Sequence, residues 1–223
     1  MVGSGMDRLP LLEGIAAEIL EMTGCDDPPV DAFELATCCG FELVPTKGEV
    51  GRVIGKLIHV PIGARTVRQH GQVAHELGHW ALRRAREDDD HPAVRYMAGA
   101  LMLPRRPFEA DLRSSAWDLR TLQARHTNAS AQMIVYRIVQ LRDAVASIWD
   151  NGRLTTRIAS PWLPKGLQGK RPSRLESRLA KECLEAGEVL QPSNLVWAWP
   201  VFSPGYKRVI VIAEAEQLSL RWS

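Results

Sequence analysis

The chain has 223 residues, of which 45% are hydrophobic and 24% charged, and its 28 Lys and Arg nearly balance 26 Asp and Glu. That composition fits a globular protein of one large domain or two small ones, and excludes a disordered tail, a coiled-coil rod and a disulfide miniature. No apolar run approaches the roughly 18 residues of a membrane span, and a formal charge of +2 does not by itself point to nucleic acid.

Residues 1–6 have neither the charged start nor the apolar stretch of an export signal, so a reducing cytoplasm is the expected compartment. Apolar side chains then recur at Leu12, Ile15, Ala16, Ile19 and Leu20, the spacing of one helix face over residues 9–22. Gly24 and the Asp-Asp-Pro-Pro stretch at 26–29 end it. A short helix follows at 31–39, then a strand at 41–44 closed by Pro45. Cys38 and Cys39 read as small buried hydrophobes of that helix, and the four cysteines match no zinc-ribbon or redox spacing. Val53-Ile54 and 57–60 form a bent strand or a hairpin around Gly55. Helices are expected at 66–84 and 92–103, with a charged stretch, 83–90, between them and Pro92 in the first turn of the second. Pro104 and Pro107 punctuate a connection to two further helices near 118–125 and 130–143, N-capped by Asp118 and Ser130.

After residue 143 the pattern changes. Strands at 144–149 and 153–159 flank an Asn151-Gly152 turn, and 160–172 reads as an exposed loop. A capping box at Ser173 and Glu176 opens a helix that ends at Gly187. A last strand pair runs over 194–202 and 207–213. The expected architecture is α+β, with a helical domain bearing a short sheet over 7–143 and a small β-β-α-β-β unit over 144–223.

The chemistry is concentrated in His75-Glu76-Leu77-Gly78-His79. On a helix, residues four apart share a face, so both imidazoles can approach one ion, and the adjacent Glu76 can act as general base. Chance supplies only about 0.01 such HExxH patterns in a chain of this composition and length. The surrounding Val73, Ala74, Leu77, Trp80, Ala81 and Leu82 make the helix amphipathic.

QVAHELGH at 72–79, followed by AGALMLP at 98–104, resembles the ImmA/IrrE metallopeptidases. The resemblance covers roughly 9–142 and implies a zincin-like fold, a zinc ion (Zn2+) held by His75 and His79, and Glu76 as catalytic base. It implies that Leu57, Ile58, His59 and Val60 line the cleft and pair with an extended substrate. The implied substrate is a protein, a helix-turn-helix repressor whose cleavage derepresses genes, as in stress responses. The chain departs from the family at the third ligand, where Ala93 stands in place of a glutamate. His91 or Asp90 would have to substitute, and Asp89 lies one turn before Ala93. If neither supplies a ligand, the chain is a catalytically silent relative.

His70 falls off the ligand face and reads as a surface residue, while His59, Tyr96, Trp197 and Trp199 fit ordinary core or strand positions. Arg105, Arg106, Arg113, Arg120, Arg125, Arg137 and Arg142 gather on the helical pair and its approach. They carry the competing reading, a peptidase-like protein that binds DNA or a regulator directly. A membrane partner is not expected.

Overall fold

The computed structural model describes residues 5–47, 52–193, 196–203 and 205–215. The chain is mixed α+β, as expected, and divides into two compact units. The first comprises residues up to 115 together with 120–137, and the second comprises 116–119 together with 138 onward. No helix among the described residues is long and apolar enough to cross a membrane.

The first unit begins with α1 (Gly5–Thr23), whose Leu12, Ala16, Ile19 and Leu20 are all buried. Each such leucine or isoleucine contributes about 1.5–3 kcal/mol by leaving water. α2 (Ala32–Cys38) is N-capped by Asp31, which accepts from the Phe33 and Glu34 amides. Three strands follow, β1 (Glu42–Thr46), β2 (Arg52–Ile54) and β3 (Leu57–Pro61), in the order β1-β3-β2. β1 runs parallel to β3 and pairs through Pro45, while β2 and β3 form the antiparallel hairpin.

α3 (Thr66–Arg84) buries His70, Val73, Ala74, Leu77, Gly78, Ala81 and Leu82 against its neighbours. It packs on α4 (His91–Met102), whose first turn carries Pro92 as expected. His70 is therefore a core residue and not a surface one. It is 3% exposed, its Nδ1 accepts the Ala32 amide at 3.3 Å, and its ring stacks on Phe33 at 4.2 Å. Cys38 is exposed and Cys39 half-buried, so neither is the buried hydrophobe its helix suggested.

The connection expected around Pro104 and Pro107 is a helix, α5 (Arg105–Ser114). Pro107 lies in its first turn, where a missing amide hydrogen costs no helical bond. α6 (Leu119–Arg125) and α7 (Ala131–Leu141) complete the helices of this half of the chain, and the Ser130 hydroxyl accepts the Met133 amide at the start of α7. Within the first unit, Arg137 of α7 is fully buried beneath α1 and α4. It donates to both Glu13 oxygens, at 2.6 and 2.9 Å, and to the Leu103 carbonyl at 3.0 Å. Tyr96 donates its hydroxyl to the same carboxylate at 2.5 Å. Burial works to raise the Glu13 carboxyl, but Arg137 and Tyr96 together hold it below its ordinary value.

The second unit is a five-stranded antiparallel sheet ordered β5-β4-β8-β7-β6 with one long helix. Its elements are β4 (Ala144–Asp150), β5 (Arg153–Ala159), α8 (Arg174–Ala186), β6 (Leu190–Ser193), β7 (Val196–Ser203) and β8 (Tyr206–Glu214). β6 is an edge strand additional to the expected β-β-α-β-β order; Pro192 lies within it, which an edge tolerates. Of the expected strand 194–202, residues 194 and 195 lie outside the described residues. Asn151 and Gly152 both take positive φ, 51° and 79°, as a tight hairpin turn requires.

α8 opens with the Ser173–Glu176 capping box and closes on Gly187 at φ 68°. Its Leu179, Ala180 and Cys183 pack on Val145, Val209 and Val211 of the sheet. Glu176 also takes the guanidinium of Arg157 at 3.0 Å, a pair less than 5% exposed. Arg157 donates further to the Leu167 and Gly169 carbonyls, which pins the 160–172 segment. Trp197 and Trp199 are buried with rings stacked at 5.4 Å, and the Trp199 indole donates to Asp118 at 3.3 Å.

Candidate metal centre

The buried stripe of α3 leaves His75, Glu76 and His79 together on its half-exposed side. The two imidazoles stand edge to face with centroids 5.0 Å apart. Burial, and then the His79 and His91 rings and Arg95, hold His75 below its ordinary pKa. It is thus neutral near pH 7, the form in which an imidazole can bind a metal.

The chain is returned to this face by the end of α3. Arg86 takes φ 58°, the Glu87 amide bonds the Leu82 carbonyl at 2.9 Å, and the Arg86 amide bonds Arg83 at 3.1 Å. This is a Schellman turn with arginine in the left-handed position usually given to glycine. Beyond it the backbone is extended at Asp90, φ −62° and ψ 151°, so neighbouring aspartates face different ways. Asp89 turns to α3, where its Oδ2 lies 3.1 Å from His79 Nδ1 and accepts from Arg83 Nε at 2.8 Å.

Asp90 turns to α4. One of its oxygens accepts the Ala93 amide at 2.8 Å as the N-cap, and the other accepts from Arg8 at 2.7 Å. His91, the first residue of α4, is exposed, and its ring lies 6.2 Å from His75 and 6.4 Å from His79. Ala93 is 5% exposed and has no donor atom to offer. Of the two candidate third ligands, Asp90 is engaged elsewhere and His91 faces the histidine pair.

Glu76 is bonded by the main chain of Val53 in β2. Burial pushes its carboxyl above the ordinary value, against the pull of His79, of the Val53 hydrogen bond and of Arg83. β3 is the central strand, paired with β1 along Leu57 to Pro61 on one side and with β2 along Leu57 to His59 on the other. Ile58 is fully buried, and His59 sits half-buried between Val44 and Arg52. The strand beside Glu76 is β2. No side-chain motif announces Val53, because its contribution is a backbone group.

Among the described residues, no group of three His, Cys, Asp or Glu side chains is close-set enough to hold a metal ion. The donor chemistry nonetheless fits zinc: two imidazoles one helical turn apart, a third within 6.4 Å, and a carboxylate behind one of them. His91 is the outlying member.

Residues 41–139 match the family described as the IrrE N-terminal-like domain of peptidase M78. This segment is similar to the IrrE N-terminal-like domain. The resemblance carried by the HELGH motif thus holds over this segment. A solved structure of a Mycobacterium tuberculosis transcriptional regulator superposes with a TM-score of 0.66 over 96% of this chain and 79% of that one. Identity is 16%, so this likeness is one of fold. No curated protein matches the sequence significantly.

Three of the seven arginines that supported direct DNA binding are engaged within the fold. Arg137 is buried on Glu13, Arg125 meets Asp111 and Ser114, and Arg105 meets Glu109. His126 is buried between Phe108 and Asp111, its Nε2 3.1 Å from the carboxylate.

Proposed function

We propose that the chain is a cytoplasmic zinc-dependent endopeptidase that cleaves a protein substrate, a helix-turn-helix repressor, and thereby releases the genes it controls. The carrying observation is the half-exposed face of α3 that bears His75, Glu76 and His79, with the His91 ring 6.2 and 6.4 Å from the two imidazoles. The IrrE N-terminal-like domain supports peptidase chemistry, and the regulator of like fold supports a regulatory setting.

His75 and His79 would hold zinc with His91 as third ligand, and the ion would polarise the scissile carbonyl and acidify the attacking water. Glu76 takes the proton from that water and returns it to the leaving amine. Its half-buried carboxylate sits against the Val53 main chain, at the edge of the sheet. An extended peptide adds to the free side of β2, which sets its backbone across Glu76.

Two measurements test this. Protein purified with zinc supplied should hold one equivalent of metal by elemental analysis. It should also cut a helix-turn-helix repressor supplied as substrate, and Glu76→Gln should abolish the cut while retaining the metal. Absence of zinc, or equal cleavage by wild type and Glu76→Gln, overturns the reading.

A further inference from the structure

We propose that Asp89 is a positioning residue, held by Arg83, which fixes the tautomer and ring orientation of His79 so that Nε2 is presented to the metal. The inference rests on the reading of His79 as a zinc ligand. Asp89 has a carboxylate, and it stands in the acidic stretch where a missing third ligand would be sought. Its geometry assigns it a different task.

Asp89 Oδ2 is 3.1 Å from His79 Nδ1, and the same oxygen accepts from Arg83 Nε at 2.8 Å. A carboxylate oxygen beside a ring nitrogen demands a proton on that nitrogen. His79 is then the Nδ1–H tautomer, and its lone pair sits on Nε2, at the far side of the ring. An imidazole in water favours the opposite tautomer, so a histidine without this partner would have its lone pair on the wrong nitrogen for most of the time. A carboxylate behind a ligating histidine both locks the ring and raises its basicity, an effect typically worth 10–100-fold in metal affinity.

Three features make Asp89 able to do this. The Schellman turn at Arg86 reverses the chain so that Asp89 comes back alongside α3. Arg83, one turn after His79 on the same helix, anchors the same carboxylate oxygen. The Ala93 amide and Arg8 hold the adjoining Asp90 at the start of α4, so the chain on the far side of Asp89 is anchored too. Asp89 and Asp90 thereby divide the work, one orienting a ring on α3 and the other capping α4.

The experiment reads the tautomer directly in metal-free protein, by long-range proton–nitrogen correlation of the histidine rings. In the wild type His79 should be the Nδ1–H form. Asp89→Ala should move it toward the Nε2–H form and weaken zinc binding 10–100-fold in competition with a chromophoric chelator, with the circular dichroism spectrum unchanged. Asp89→Asn keeps an acceptor oxygen and should fall between. An Nε2–H ring in the wild type, or a tautomer and zinc affinity untouched by Asp89→Ala, overturns the assignment. Failure of the wild type to bind zinc strikes the proposed function instead, and the tautomer measurement still decides what Asp89 does to His79.

Discussion

A Cβ atom placed on Gly78 would lie 2.9 Å from the Val94 carbonyl oxygen, closer than side-chain carbons come to backbone oxygens. The glycine inside the HELGH motif is therefore where α3 and α4 touch backbone to backbone, and that contact sets how near His91 stands to His75 and His79. Gly78→Ala gains about 1 kcal/mol of intrinsic helix propensity. The clash is with main chain, which cannot rotate away, and overpacking of this kind costs about 1–3 kcal/mol. The expected outcome of a denaturant titration is net destabilisation, with zinc affinity falling further than stability does.

His91 and Asp90 are neighbours with separable tasks. His91→Ala removes the outlying imidazole and should weaken zinc binding strongly while leaving the melting temperature of the metal-free protein nearly unchanged. Asp90→Ala removes the cap on the Ala93 amide, a loss of about 0.5–2 kcal/mol. Zinc affinity should then change little. Calorimetry with and without zinc separates the two, and the reverse pattern would make Asp90 the ligand.

What the sequence made legible is what repeats or is spaced. α3 occupies the interval its apolar periodicity marks, and the capping box and left-handed Gly187 bound α8 as read. Less visible were features decided by tertiary partners. Arg137 sits among surface-like arginines in the sequence, yet Glu13, 124 positions away, draws it fully inside. His70 is off the ligand face, but α2 covers it. Prolines at 104 and 107 look like loop punctuation because a proline at a helix start and one in a connection have the same local sequence. In the site, the histidine pair is written in the spacing, while the alternation of Asp89 and Asp90 and the place of Val53 depend on backbone geometry.

The Glu13–Arg137 pair gives an asymmetric prediction. Arg137→Met leaves the Glu13 carboxylate and the Tyr96 hydroxyl without their cation, and loss of one partner of a buried pair costs about 3–5 kcal/mol. Replacing both, Glu13→Leu with Arg137→Met, removes the stranded charge together with its partner. The double variant should recover most of the loss in a urea titration. A double variant as unstable as Arg137→Met alone would mean that packing of the arginine stem, and not charge, carries the effect.

His70 and His126 make stability depend on pH. Burial holds both below the ordinary 6.5, in each case against the pull of a nearby aspartate, Asp31 for His70 and Asp111 for His126. The unfolded chain then binds more protons than the folded one as pH falls below about 6.5, so their contribution is full above that value and is lost on acidification. The melting temperature of metal-free protein should drop between pH 7 and pH 5, before most carboxylates titrate. His70→Gln combined with His126→Gln should flatten that stretch of the profile, and an unchanged slope would assign it to other groups.

Arg86 occupies the left-handed position of the Schellman turn at φ 58°. A side chain there costs about 1–2 kcal/mol relative to the right-handed region, a cost that glycine does not bear. Glycine adds freedom to the unfolded chain, which returns about 0.5–1 kcal/mol of that gain. Arg86→Gly should therefore stabilise the metal-free protein by up to about 1 kcal/mol. The turn also aims Asp89 at His79 and starts α4, so a relaxed turn should keep zinc affinity at the wild-type level. A variant that is more stable but binds zinc more weakly would show that Arg86 constrains the path to Asp89 beyond what its backbone conformation requires. Thermal denaturation paired with chelator competition on the same preparation reads both quantities.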